Sequence, residues 1–574
     1  MIQVENLSYS FPTKELYKKV SFTLEAGQHC AFIGSNGTGK TTLVDMLIDP
    51  EKYLYDGKII KAEECRIGYV NQFSKSDKEL ALTVFEYLSQ CFTQNQAEVA
   101  KVCDEMSVAE DLAPLLEKYQ ELMDLFNAMD GDHYESNIAK QLHLVGMTNR
   151  EHTEISALSG GEYKLLQIMK EMLLQPNLLI MDEPDVFLDF ENLNGLCKLI
   201  NSYNGTLLVI THNRYLLNHC FNKILHLENT DLQEFDGSYT EYNYALLEKK
   251  VELQEIVAKE QAEIARAEKM VERLRAEATR ASIASLGRTV HAKQTYLDRL
   301  KMRAIKEPFV NLRTPNIHLP EVDPDSEQVV LKISDYQVAF DEEILKDVSF
   351  EIKAGQKVAI VGANGTGKTT LLRDIYKNVH PSISIEKSAE IGFLSQLHGE
   401  MLDESKTVYE EFEALGFEKK ADIEEYLADY CFEAETLSQT IASLSGGEQN
   451  LLQLAKICVG SADFLLLDEP TSHLDTFAQI ALEKALSAYK GTVLMVSHDF
   501  YHIVNCADYI LFVEDNTMRQ VRIRTFRKKI YEKHFPKDYL EKEQQKKELE
   551  GRINASLKAK DYQTAKKLCE ELMK

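Results

Sequence analysis

Two stretches of this chain follow one pattern, G-x-x-x-x-G-K-T. They are Gly34-Ser35-Asn36-Gly37-Thr38-Gly39-Lys40-Thr41 and Gly362-Ala363-Asn364-Gly365-Thr366-Gly367-Lys368-Thr369. Glycines let backbone N–H groups close around phosphate oxygens, the lysine reaches the β/γ-phosphates, and the threonine hydroxyl holds Mg2+. Such a loop works only between a strand and a helix. Each copy follows an apolar, strand-like run, Cys30-Ala31-Phe32-Ile33 or Val358-Ala359-Ile360-Val361, and precedes a helix-like one. An ordinary glycine-rich turn does not explain two copies in the same setting. The chain is therefore expected to build this strand–loop–helix unit twice.

The duplication runs well past the loops. Leu158-Ser159-Gly160-Gly161-Glu162 returns as Leu444-Ser445-Gly446-Gly447-Glu448. Apolar runs ending in Asp182-Glu183-Pro184 and Asp468-Glu469-Pro470 follow, and then Thr211-His212 and Ser497-His498. Ser159, Glu183 and His212 all meet their partners at an offset of 286 residues, whereas Lys40 and Lys368 lie 328 apart. Gln72 and Gln396, 324 apart, place most of the extra length of the first copy between Gln72 and Ser159. This is a repeat of whole domains, far longer than a solenoid period. Strand-like and helix-like segments alternate throughout, which indicates α/β architecture with mainly parallel sheets.

The residue types suit one chemistry. Phosphoryl transfer to water needs charge neutralised on the β/γ oxygens and a base aimed at the attacking water. An Asp-Glu pair ending an apolar strand offers one carboxylate to a metal and the next to water. A lone Asp-Glu is usually a solvated turn, but here it recurs behind each phosphate loop.

The ordered set resembles the ATP-binding cassette (ABC) ATPases over roughly residues 1–230 and 327–515. The resemblance implies ATP and Mg2+ as cofactors. Lys40, Thr41, Lys368 and Thr369 would bind phosphate and metal, with Asp182 and Asp468 assisting Mg2+. Glu183 and Glu469 would be general bases, His212 and His498 switch histidines, and Gln72 and Gln396 Q-loop residues. Ser159 and Ser445 would head signature loops, and Phe11 and Phe340 would stack on adenine, where an aromatic packed in a strand reads equally well. In this family the signature loop of one domain caps the nucleotide of the other. Lys40, Glu183 and His212 would thus work with Ser445, and Lys368, Glu469 and His498 with Ser159, as two intramolecular sites in a monomer.

Between the cassettes, Gly237-Ser238-Tyr239-Thr240-Glu241-Tyr242 leads into a charged segment without Gly or Pro from Glu241 to about Ala281. It predicts a helix of roughly 60 Å at ~1.5 Å per residue. A tip over Ser282 to Gly287 and a second helix from about Thr289 to Lys306, stopping before Pro308, complete a hairpin. The whole chain carries a net charge of −27, which argues against general nucleic-acid binding. The charge of the hairpin runs against that balance: Gln261 to Arg313 holds twelve Lys or Arg against six acids. Arg273, Arg275, Arg280, Arg288 and Lys293 cluster at the tip, a plausible contact for RNA phosphate. A solvated coiled coil with incidental charge accounts for the same residues.

Tandem cassettes joined by such a hairpin resemble the ABC-F proteins. That resemblance implies a ribosome-binding translation factor or an antibiotic-resistance protein that protects the ribosome, touching rRNA and tRNA through the linker. The short tip favours the translation factor. Competing readings are a transport ATPase docking on a membrane partner and a DNA-acting ATPase. The projecting basic arm speaks against the first, and the lack of zinc-binding cysteines against the second.

The remaining expectations concern place and boundaries. No run approaches the ~18 apolar residues of a membrane span. The N-terminus enters a strand-like segment directly (Ile2 to Tyr9), so no signal peptide is expected. Ten scattered cysteines without C-x-x-C predict reduced thiols and a cytoplasmic protein. The expected domains are a first cassette (1–238), a hairpin linker (239–325), a second cassette (326–528) and a helical tail (529–574). A helical pair at about Ala97 to Met129 enlarges the first cassette. Leu540, Leu549, Ile553 and Leu557, then Ala565, Leu568 and Leu572, predict a tail hairpin broken near Lys560-Asp561-Tyr562. Residues 548–573 are similar to the UVR motif, although a generic coiled-coil tail fits them too. The first cassette has Asp185-Val186-Phe187, Tyr163 and Asn213 where the second has Thr471-Ser472-His473, Gln449 and Asp499. These departures predict two unequal ATP sites.

Overall fold

A computed structural model describes residues 1–574 except 12–13, 63–64, 71–80, 110, 187, 282–283, 304–313, 340–342, 418, 535–538 and 573–574. At 253, 276–281, 284–289, 300–303, 343, 529, 531–534, 539–544, 547, 554 and 558 it describes the backbone alone. The chain divides into two compact units, one of 1–236 with 313–534 and one of 237–312 with 535–574.

The first unit holds both cassettes. In the first cassette a six-stranded sheet runs Ile67–Val70, Leu178–Asp182, Thr206–Ile210, His29–Ile33, Lys223–Glu228, Asp231–Asp236. Its neighbours are parallel except the last pair. The second cassette repeats the order with Ile391–Leu394, Phe464–Asp468, Thr492–Val496, Lys357–Val361, Tyr509–Glu514 and Thr517–Arg522. The central strands read as unbroken apolar runs because helices cover both faces of a parallel sheet. Every residue of Leu178–Asp182, Thr206–Ile210, Phe464–Asp468 and Thr492–Val496 is buried. A three-stranded antiparallel sheet packs beside each, built on Ile2–Ser10 and on Val329–Ala339. Tyr17 and Tyr336, both fully buried, lie in the cores between the layers.

The extra length of the first cassette folds as the helices Val84–Met106 and Ala113–Ala128. The pair begins earlier than expected because Thr83 and Glu86 form a capping box at Val84.

The second unit contains the linker helices Tyr239–Ala281 and Ala284–Arg303. The second of them starts five residues before Thr289 and takes in Gly287. Their antiparallel contact buries Val271 and Leu297, and Tyr296 donates to Glu263 at 2.9 Å. The tail forms Tyr539–Lys558 and Tyr562–Leu572, with the break where Lys560-Asp561-Tyr562 places it. Ile553, Ala565, Leu568, Cys569 and Leu572 bury themselves against Val251, with Tyr244 and Leu247 at the margin. Linker and tail thus share one core. Among the described residues no helix is long and apolar enough to cross a membrane.

Candidate functional site

Both phosphate loops leave the carboxyl ends of central parallel strands, His29–Ile33 and Lys357–Val361, and end in helices starting at Lys40 and Lys368. Gly39 and Gly367 make that turn at φ 96° and 79°, a left-handed backbone that glycine enters without steric cost. Lys40 Nζ donates to the carbonyls of Gly34 (2.8 Å) and Ser35 (3.0 Å). Lys368 Nζ does the same to Gly362 and Ala363. Burial lowers the pKa of both lysines, against the pull of neighbouring carboxylates.

The carboxylates come from strand ends nearby. Thr41 Oγ1 donates to Asp182 at 2.9 Å, and Thr369 Oγ1 to Asp468 at 3.1 Å. Burial, with Glu183 beside it, pushes Asp182 up to about 6; burial raises Asp468 equally, to about 6. Among the described residues Asp468 Oδ2 is buried without a hydrogen-bond partner. A threonine hydroxyl and a carboxylate form an all-oxygen donor set of the kind hard divalent cations take.

Glu183 and Glu469 adopt φ 45° and 49°. A left-handed non-glycine residue costs of order 1–3 kcal/mol, and such strain gathers at functional sites. It turns each side chain away from its strand while the amides stay tied to Ile210 and Val496. His498 Nε2 lies 3.5 Å from Glu469 Oε1, and the His498 amide donates to Oε2 at 3.2 Å. Burial and the adjacent lysines hold His212 and His498 down to about 3, so both imidazoles are neutral.

The cassettes complete each other's loops. Asn36 Nδ2 donates to the His473 carbonyl at 2.8 Å and the Asn36 amide to Asp475 at 3.3 Å. A Cβ on Gly447 would meet Asn36 Nδ2 at 1.9 Å, so only glycine allows the signature loop of the second cassette this close to the first phosphate loop. In the reverse sense the Asn364 amide donates to Asp189 at 3.4 Å. A cavity of about 550 Å³ joins Lys368, Thr369, Gln396, Glu469 and His498 to Gly160 and Gly161 of the first cassette. That volume lies in the usual ~300–1,000 Å³ range of small-molecule sites. Ser159 and Ser445 cap the helices Gly160–Leu173 and Gly446–Val459 through capping boxes with Glu162 and Glu448.

The two sites differ. His473 Nδ1 reaches across to Glu183 Oε2 at 3.6 Å. Burial raises Glu183, but the His473 hydrogen bond, with the Lys40 charge nearby, outweighs it and leaves the carboxyl below its ordinary value. Burial and Asp468 instead push Glu469 well above its own. Buried Glu228 accepts from the amide (3.1 Å) and hydroxyl (2.7 Å) of Ser35, where the second loop has Ala363. Asn213 and Asp499 play one role, capping the helices Arg214–His219 and Phe500–Cys506. Tyr163 packs on Tyr87, whereas Gln449 donates to the Ile441 carbonyl at 2.9 Å. Phe11 is 45% exposed, with Tyr9 edge-on at 5.4 Å. Gln72, Phe187 and Phe340 lie outside the described residues, as do Ser282 and the side chains of Arg280 and Arg288.

Sequence reading missed Glu228, the contact of His473 with Glu183, and a charged contact between the cassettes, where Arg214 meets Glu483 and Asp499. The constant offset of 286 held a signal, since it sets Phe500 opposite Arg214, Cys197 opposite Glu483 and Phe187 opposite His473.

Comparison with known proteins agrees with this geometry. The family model described as "ABC transporter" matches residues 17–186 and 345–472, and a second model of the same description matches 225–314. The chain is 32% identical over 525 residues to YdiF of Bacillus subtilis, covering 89% of this chain and 79% of that protein. It is 29% identical to ABC transporter F family member 5 of Arabidopsis thaliana, covering 90% and 75%. In fold it matches a solved complex of an archaeal ribosomal stalk protein with the archaeal ribosome recycling factor aABCE1, with a TM-score of 0.50, 18% identity and coverage of 90% and 89%. The chain belongs to the ABC-F family of ATP-binding cassette proteins and is an ATP hydrolase.

Proposed function

We propose that the chain couples ATP at two composite sites to closing and opening of its cassettes, and that it does so on the ribosome, as a translation factor. The observation that carries the two-site reading is the cavity that sets Lys368, Glu469 and His498 opposite Gly160 and Gly161. A nucleotide held by residues of both cassettes binds the closed form better than the open one, and so shifts the population towards closure. The ribosomal reading is supported by the basic linker on an otherwise acidic chain. It is supported too by relatives of the F family and by the likeness to a ribosome recycling factor.

Within each site the roles follow from position. The backbone of Gly34 to Thr41, or Gly362 to Thr369, cradles phosphate, and Lys40 or Lys368 turns from its own loop carbonyls to the β/γ oxygens. Thr41 with Asp182, and Thr369 with Asp468, would hold Mg2+, which when bound neutralises charge on those oxygens. Glu183 and Glu469 orient water and take its proton, and His212 and His498, as neutral imidazoles, fix the far side. Ser445 closes the first site and Ser159 the second. Phe11 offers a face to adenine.

The test uses the full chain. With Glu183→Gln and Glu469→Gln together, ATP remains bound, the closed form persists, and the protein co-sediments with ribosomes in ATP but not without nucleotide. Removal of residues 245–305 abolishes that co-sedimentation. Retained binding after the deletion would sink the ribosomal role of the linker.

A further inference from the structure

Among the described residues, the charged contact of Arg214 with the second cassette has no equivalent in the reverse sense. Arg214, two residues after His212, is buried to 11% exposure. Its Nη2 donates to Glu483 and, at 3.1 Å, to Asp499 Oδ2. The guanidinium lies 4.9 Å over the ring of Tyr501. Glu483 is held in turn by Asn505 at 2.9 Å. A buried pair of this kind is costly to break, because the abandoned charge stays out of water.

Asp499 leads directly to the second site. Its Oδ1 accepts from the amides of Tyr501 (2.8 Å) and His502 (3.2 Å), fixing the turn after His498. The His498 amide and ring both face Glu469. A continuous path therefore runs from Arg214 of the first cassette through Asp499 and His498 to the base of the second. Among the described residues no such path returns. The positions equivalent to Arg214, Asp499 and Glu483 are Phe500, Asn213 and Cys197. Phe500 packs on Phe190 with ring centroids 6.2 Å apart, and Cys197 faces Cys220 at 3.2 Å within its own cassette.

We propose that Arg214 is a positioning residue of the second ATP site, acting in trans: it holds the His498-Asp499 turn in register with Glu469 when the cassettes meet. The first site has no counterpart and hydrolyses independently of this contact. The proposal rests on the two-site reading above.

Turnover at one site at a time tests it. Arg214→Met is placed in a Glu183→Gln background, where the second site works, and in a Glu469→Gln background, where the first does. Misplacement of a catalytic group costs about tenfold to a hundredfold, so kcat in the Glu183→Gln background falls by that factor with the KM for ATP unchanged. In the Glu469→Gln background kcat stays within about twofold, and Arg214→Lys restores part of the loss. Asp499→Asn keeps the helix cap, as Asn213 does naturally, and gives the same selective loss. That variant decides the matter if Arg214→Met fails to fold. No loss, or an equal loss in both backgrounds, overturns the proposal, the second outcome marking a plain clamp between cassettes. A Glu183→Gln parent with no turnover would instead overturn the two-site reading itself.

Discussion

His212 and His498 carry a pH signature that follows from burial. Each is held at about 3, against an ordinary value of 6.5. Between those limits the unfolded chain takes up two protons that the folded chain refuses, so folded stability falls as pH drops from 6.5 towards 3. Asp182 and Asp468, pushed up to about 6, act with the opposite sign between 6 and their ordinary 3.8. Replacing both histidines with Asn removes the first contribution and leaves the second. The melting temperature of the nucleotide-free protein then falls less steeply from pH 6.5 to 4 than that of the parent. An unchanged slope would mean that the imidazoles are solvated. These residues stood out as candidates because Asp182 and His212 recur 286 positions on as Asp468 and His498, in the same order after each phosphate loop. Their environments were not legible. Whether a glutamate is raised or lowered depends on what crosses from the other cassette, and His473 stands 290 positions from Glu183.

At the scale of elements, the tail and the linker depend on each other. Ile553 and Leu568 sit in one small core with Val251 of the long linker helix. The charged contacts around it, such as Lys566 with Glu252 and Glu255, are exposed and contribute little. Apolar burial therefore decides the docking. Ile553→Ala should cost about 2–5 kcal/mol of that docking, since it removes a fully buried branched side chain. Amide hydrogen exchange over 562–572 should speed up strongly while the cassette sheets exchange as before. Equal protection in both proteins would show that the tail holds by itself. Both tail helices and their break were readable from spacing, because apolar residues three and four apart mark a helix face. The face they pack on was not, since 302 positions separate Val251 from Ile553 and periodicity says nothing about partners. The early start at Ala284 was missed for a different reason. A glycine reads as a breaker, yet inside a helix it costs only about 1 kcal/mol, which neighbours can offset.

At the scale of the molecule, charge is divided unevenly. A net −27 repels polyanions at long range, and the linker between Gln261 and Arg313 opposes it with twelve bases against six acids. If the linker meets RNA, each base that touches phosphate releases counterions. It then contributes roughly 0.7–0.9 to the slope of log affinity against log salt. Replacing Arg273, Arg275 and Lys293 with Gln should reduce that slope by about two and weaken ribosome co-sedimentation most at low salt. ATP turnover by the free protein should stay unchanged, because these residues belong to the linker unit and not to the unit that holds both cassettes. Loss of turnover in the free protein would tie the linker to the cassettes instead. An unchanged salt slope with weakened binding would mean that the three side chains act through shape and not through charge. The distinction matters because the linker's excess of base runs against the net charge of the whole chain. The salt slope counts the linker charges that deliver whatever attraction to a polyanion passes through the hairpin, and so separates them from bases elsewhere in the chain, such as Arg519, Arg522 and Arg527.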